Sequence, residues 1–287
     1  MGEIVRIARL ARGADFPLSG LMGASSRLIT YVLMATVMVG TVFARFTANA
    51  QSGLPSLPSD TPAIAYDLCL DQAEHFAERA IALAQGWELE GGGNAARHCQ
   101  AVAHSNLGNH RPAAILLDTL AGDLATVGDP LAGELFGEAG RAWLLAGQPQ
   151  MAGEALDSAI TALGASRPLL TLRAYAHAGL QEYWQAIETL TQALALGDAT
   201  VELLLLRAAA YRHLEVYELA LDDLGRGMAM APDDPELLLE RGNIHALSGD
   251  TGAAIADWSR VVEVAPETGL AQTAERNIAR VLAPDLG

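Results

Sequence analysis

Four residues near the carboxyl end are of the types from which acid–base or hydrolytic chemistry is built. Arg241, His245, Asp250 and Asp257 fall within one stretch, Leu239 to Pro266 (LERGNIHALSGDTGAAIADWSRVVEVAP). A histidine and two carboxylates could move protons, and an arginine could grip a carboxylate or phosphate in bidentate fashion. A second stretch, Arg97 to His110 (RHCQAVAHSNLGNH), mixes His98, His104 and His110 with Cys99, the residue types of a zinc site. A hydrolytic site needs two acids converging on one pocket, in a constellation that occurs once.

Arg241, His245 and Asp257 recur instead. Repeats begin at Gly133, Arg167, Val201 and Pro235, 34 residues apart, and a further one begins at Asn94 before a five-residue insertion. Position 20 of the unit reads Ala113, Ala152, Ala186, Ala220, Ala254; position 24 reads Leu117, Leu156, Leu190, Leu224, Trp258; position 8 reads Ala101, Gly140, Ala174, Ala208, Gly242. Such a pattern predicts a helical hairpin in each copy. Small residues at 8 and 20 let its two helices approach, and the bulky residue at 24 lies one turn from 20 on the same face. Pro232 and Pro266, both at position 32, stop the second helix.

The opening residues then take places in the unit. His104, His177 and His245 share position 11 with Trp143 and Tyr211, which predicts packing between helices. Arg173, Arg207 and Arg241 are position 7, while Asp223 and Asp257 are position 23, so a repeated Arg–Asp pair across each hairpin is expected. His98 and His104, six apart, face different sides of a helix, which argues against a metal site. No HExxH, GxSxG, phosphate loop or dinucleotide fingerprint occurs, so no catalytic, metal or cofactor residues are assigned.

The period and the residues at 8, 20, 24 and 32 resemble the tetratricopeptide repeat family, over Asn94 to Pro266. That resemblance implies an all-α fold, a right-handed solenoid of helical hairpins. Its first helices would line a groove for a protein or peptide segment. In the family, positions 2, 5, 9, 12 and 13 face the groove. By register these include Glu134, Arg141 and Leu144, Thr171 and Tyr175, Glu202, Arg212 and His213, and Glu236, Leu239 and Asn243. Arg141, Tyr175, Arg212 and Asn243 can hydrogen-bond or stack, and they are the expected contacts.

Composition agrees with a helical scaffold. Apolar residues make up 51% of the chain but aromatics only 5%, and Ala and Leu fill the apolar share, which favours helix over sheet. All 18 basic residues are Arg; the first fifty residues hold five of them and only two of the 34 acids, so the remainder is more acidic than the net −16 of the whole. Such a surface repels phosphate backbones and excludes nucleic acid as a partner.

The amino-terminal residues read as a targeting segment. Leu28 to Ala44 (LITYVLMATVMVGTVFA) carries no charge, Arg27 precedes it, and Ala48-Asn49-Ala50 follows. This matches a secretory signal cleaved after Ala50, within 1–50; an uncleaved membrane anchor is the alternative, and Met22 is a second possible start. Residues 51–62, with three prolines, read as a linker, 63–93 as a divergent helical repeat, 94–266 as five repeats, and 267–287 as a capping helix and tail, with Leu270, Ala274, Ile278 and Leu282 on the packed face. Cys69 and Cys99 are the only cysteines. An even count in an exported chain points to one disulfide, with two buried free thiols as the alternative. The expected function is an exported, non-catalytic scaffold for protein partners, periplasmic and linked to envelope assembly. The alternatives are a membrane-tethered assembly factor and an accessory domain of an envelope enzyme.

Overall fold

A computed structural model describes residues 62–283; the expected signal (1–50), all but the last residue of the expected linker (51–62), and residues 284–287 lie outside the described residues. Within them the chain is all-α, and no strand occurs. The helices are α1 Pro62–His75, α2 Ala77–Trp87, α3 Gly93–Asn106, α4 His110–Thr126, α5 Leu131–Leu145, α6 Pro149–Leu163, α7 Arg167–Gly179, α8 Tyr183–Ala195, α9 Val201–His213, α10 Tyr217–Met230, α11 Pro235–Leu247, α12 Thr251–Val264 and α13 Gly269–Leu282. They fall into two compact units divided between Leu120 and Ala121, within α4. No described helix is long and apolar enough to cross a membrane.

The predicted copies from Asn94 onward coincide with helix pairs: α3–α4, α5–α6, α7–α8, α9–α10 and α11–α12. The five-residue insertion is taken up partly by α4, which is 17 residues long against 13 to 15 for the later second helices. Every alanine at position 20 and every bulky residue at position 24 is buried. The reason for small residues at position 8 is contact with position 24 of the same copy. A Cβ placed on Gly242 would lie 2.6 Å from Nε1 of Trp258, and one on Gly140 would lie 2.5 Å from Cγ of Leu156. Where position 24 is Trp, position 8 is Gly. Gly242→Ala should therefore destabilise the carboxyl-terminal unit by about 1–3 kcal/mol, the range for overpacking a core. Adding Trp258→Leu, which recreates the Ala–Leu pair of three other copies, should restore much of the loss in thermal melts.

Each hairpin turn closes the same way. The residue at position 15 has positive φ (Gly108 74°, Gly147 69°, Gln181 61°, Glu215 60°, Gly249 87°). The next N–H donates back to the carbonyl of position 11, as in Asn109 to His104, Gln148 to Trp143, Glu182 to His177, Val216 to Tyr211 and Asp250 to His245. This six-to-one bond ends a helix through a left-handed residue, a role glycine fills without strain. Gln181 and Glu215 adopt the same conformation at a cost of about 1–2 kcal/mol each. Glu215→Gly should therefore raise stability, by about 1 kcal/mol once the extra unfolded-state freedom of glycine is subtracted, as a denaturant titration would read.

Helices α9, α11 and α13 also begin alike. Thr200, Asp234 and Thr268, spaced by the period at position 34, accept N–H bonds from Leu203, from Glu236 and Leu237, and from Ala271. Helix α13 starts one period after α11, so the predicted cap is in register with the first helix of a further copy. Ala274 is buried, with Leu270 and Ile278 packed beside it, but Leu282 is 67% exposed because it is the last helical residue and extends past the core.

In the amino-terminal unit, α1, α2 and α3 pack on one another around Ala65, Cys69, Ala80, Trp87 and Cys99. Helices α1 and α2 are joined by the single residue Phe76, without the left-handed turn of the later copies. A kinked turn, Glu88–Gly92, leads into α3, with Gly91 at φ 98°. Cys69 of α1 and Cys99 of α3 form a disulfide, their Cα atoms 6.1 Å apart.

Candidate functional site

The four residues that suggested catalysis have framework roles. Arg241 grips Asp257 through Nε (2.8 Å) and Nη2 (2.6 Å). His245 Nε2 lies 3.8 Å from the same carboxylate. Asp250 caps α12 by accepting the Ala253 N–H. Arg207 grips Asp223 in the same bidentate way, at 2.7 Å for both bonds, and its Nη1 also reaches Thr191 of the preceding copy at 3.0 Å. These hydrogen bonds hold both guanidiniums above their usual pKa against the opposing effect of burial.

The third arginine differs. Position 23 of its copy is Thr189, so Arg173 turns back to Asp157 of α6, at 2.6 and 2.9 Å. The position-11 histidines also depart from simple packing. His177 Nδ1 lies 2.7 Å from Glu182 and 3.4 Å from Arg173, so this ring is held by polar partners. Burial lowers the pKa of His104. Trp143 is buried as predicted, while Tyr211 is half-buried with Arg207 over its ring at 6.0 Å. Among the described residues no group of three or more His, Cys, Asp and Glu could hold a metal ion.

The first helices of the carboxyl-terminal unit touch in succession, α5 with α7, α9 with α11, and α11 with α13. The predicted groove residues lie along this layer. Tyr175 is 3% exposed, and its hydroxyl donates to Glu202 of the next copy at 3.2 Å. Arg212 Nε donates to the buried Glu240 at 2.6 Å. Asn243 Oδ1 accepts from Trp258 Nε1 at 3.2 Å and from Asn277 Nδ2 at 3.1 Å. Leu144 and Leu239 are buried, Thr171, Glu202 and Glu236 are half-buried, and Glu134 and Arg141 are exposed. Of the four expected contacts, Tyr175, Arg212 and Asn243 thus bond copy to copy, and Arg141 is the exposed one. Position 9 of one helix meets position 2 or 9 of the next, and position 12 meets position 6. These offsets of 27, 34 and 28 residues are the signal that sequence reading passed over.

At the edge formed by the hairpin turns, Tyr183 at position 17 stacks on His213 at position 13 of the next copy, with centroids 4.3 Å apart and ring planes 1° from parallel. Desolvation lowers the His213 pKa; the Arg212 charge adds to this and Glu240 opposes it.

No family profile and no curated protein matches the chain in sequence. Solved structures do match its fold. A TPR protein with an unusual peptide-binding site, YrrB, aligns with a TM-score of 0.51 at 16% identity, over 63% of this chain and 91% of that one. MamA aligns at 0.50 and 17% identity, over 57% and 93%. The Cut9–Hcn1 hetero-tetramer of the APC/C aligns at 0.52 and 18% identity, over 76% of this chain and 41% of that one.

Proposed function

We propose that this chain, which has the tetratricopeptide-repeat fold, is a non-catalytic scaffold that holds a protein or peptide segment. One observation carries the reading. Of the residues with catalytic potential, Arg at position 7 and His at position 11 recur in three copies and Asp at position 23 in two, and the Arg207–Asp223 and Arg241–Asp257 pairs are bonded as framework. What remains for function is surface, and the layer of first helices offers Glu134 and Arg141 to a partner. YrrB, a neighbour in fold, is described as having a peptide-binding site, and a ligand of that kind suits a layer of successive helices.

We further infer that the protein is exported and works in the cell envelope, with residues 63–93 a divergent first copy. The uncharged run Leu28 to Ala44 after Arg27 supports export, and so does the Cys69–Cys99 bond, since disulfides persist in oxidising compartments. Sequencing the amino terminus of the mature protein tests this. A start at Gln51 supports a released scaffold, and retention of 28–44 makes it a membrane-tethered assembly factor.

The docking face is tested with a photo-crosslinking residue at position 134 or 141 in the full chain, in its native envelope. Adducts to a protein partner are expected at both positions, and Arg141→Glu should abolish the capture from position 134. Absence of adducts at both, with the chain folded and exported, overturns this face as the site.

A further inference from the structure

We propose that the turn edge of the third and fourth copies is a second docking surface, one that takes a basic peptide segment of a partner protein. The edge is built by the contact of position 17 with position 13 of the following copy. A Cβ on Gly179 would lie 2.9 Å from Cβ of Pro149, and one copy further on the same contact is the parallel Tyr183–His213 stack. Beside that stack, Trp184 is 60% exposed, whereas Trp87, Trp143 and Trp258 are buried. One period and one residue on, Leu219 is 49% exposed at the start of α10. The edge therefore presents aromatic and aliphatic surface over two adjoining hairpins.

The turn segments carry charge of one sign, and the nearby Arg212, 3.5 Å from His213 of the stack, is paired with the buried Glu240. Residues 180–186 and 214–220 contain Glu182, Glu215 and Glu218 and no Arg. Glu182 is half-exposed beside His177; Glu215 and Glu218 are exposed. Two of the five turns keep a side chain at the left-handed position where the other three have glycine, and they are the turns of this edge, Gln181 and Glu215. At Glu215 the strained backbone carries one of the carboxylates.

Ring faces next to carboxylates suit a guanidinium or ammonium group, which can lie on the ring and pair with the acid. The net charge of −16 draws a basic segment toward the chain and repels nucleic acid. The surface differs from the first-helix layer tested at positions 134 and 141. It rests on the reading that the chain holds protein segments, but each surface can fail without the other.

The test uses the full chain and three dye-labelled octapeptides in a Gly-Ser background: one with four Arg and Lys, one with four Asp and Glu, and one neutral. Fluorescence polarisation should show binding of the basic peptide, weakened by added salt. The double variant Trp184→Ala with Glu215→Gln, both at exposed positions, should bind about tenfold more weakly with an unchanged circular-dichroism spectrum. Glu275→Gln, which removes an exposed carboxylate away from this edge, should bind as wild type. Equal binding of basic and acidic peptides, or full binding by the double variant, overturns the proposal. So does a Trp184 that the neutral quencher acrylamide cannot reach in the full chain before peptide is added, because the edge would then already be covered.

Discussion

Arg207→Ala should lower the stability of the carboxyl-terminal unit by about 3 kcal/mol, the cost of leaving a buried charge without its partner. Asp223 is 1% exposed and sits at position 23 of its copy, in α10, facing Arg207 of the hairpin's first helix. Removing the guanidinium leaves only the Arg226 Nη1 contact, at 3.3 Å from a side chain that is half in solvent. A control lies one copy earlier. Arg173→Ala breaks an ion pair of the same chemistry, but Asp157 is 58% exposed, so water replaces the lost partner and the expected cost is below about 1 kcal/mol. Urea titrations of the two variants separate burial from mere pairing, and equal effects would defeat the argument. Replacing both partners by apolar residues, Arg207→Met with Asp223→Leu, should recover much of the loss, because no uncompensated charge remains.

Cleaving the Cys69–Cys99 bond should destabilise the amino-terminal unit by about 3–4 kcal/mol, from the loop-closure entropy of a cross-link spanning 30 residues. The bond ties α1 to α3 and lies among alanines, whose packing alone gives little apolar area per residue. Tyr66 to His98 at 2.6 Å and Asn106 to the Ala73 carbonyl at 2.8 Å join the same two helices. Hydrogen exchange with and without reductant should show faster exchange across 62–106 and little change beyond Leu120. Uniform loosening of both units, or none, would contradict it. Denatured, unreduced protein should present no thiol to a labelling reagent.

The fold was legible because its constraints repeat. One alanine at position 20 says little in an alanine-rich chain, but five in register with Leu117, Leu156, Leu190, Leu224 and Trp258 require two helices in close contact. The Arg207–Asp223 and Arg241–Asp257 pairs were readable for the same reason, since both partners recur within one copy. Contacts between copies were not. Arg212 and Glu240 are 28 residues apart, an offset that depends on how consecutive helices slide past each other, and the period alone does not set it. Tyr175 was likewise placed on the surface by register, but a tyrosine there is long enough to turn under the next helix and reach Glu202. Arg173 shows the limit within a copy, because a threonine at position 23 redirects it to the preceding hairpin.

The common start of α9, α11 and α13, each one residue after a capping Thr or Asp, makes the boundary a splice site. A duplicate of residues 201–234 inserted after Asp234 would join without a phase error, since Pro235 would still follow a capping aspartate. The helices would align, but the ion pairs would not. Arg212 of the original copy would face the duplicate's Leu206 at position 6, while only the duplicate's own arginine met Glu240. Growth of the array by this duplication is thus free in geometry and limited by charge: each added copy of 201–234 strands one arginine until its neighbour acquires an acid.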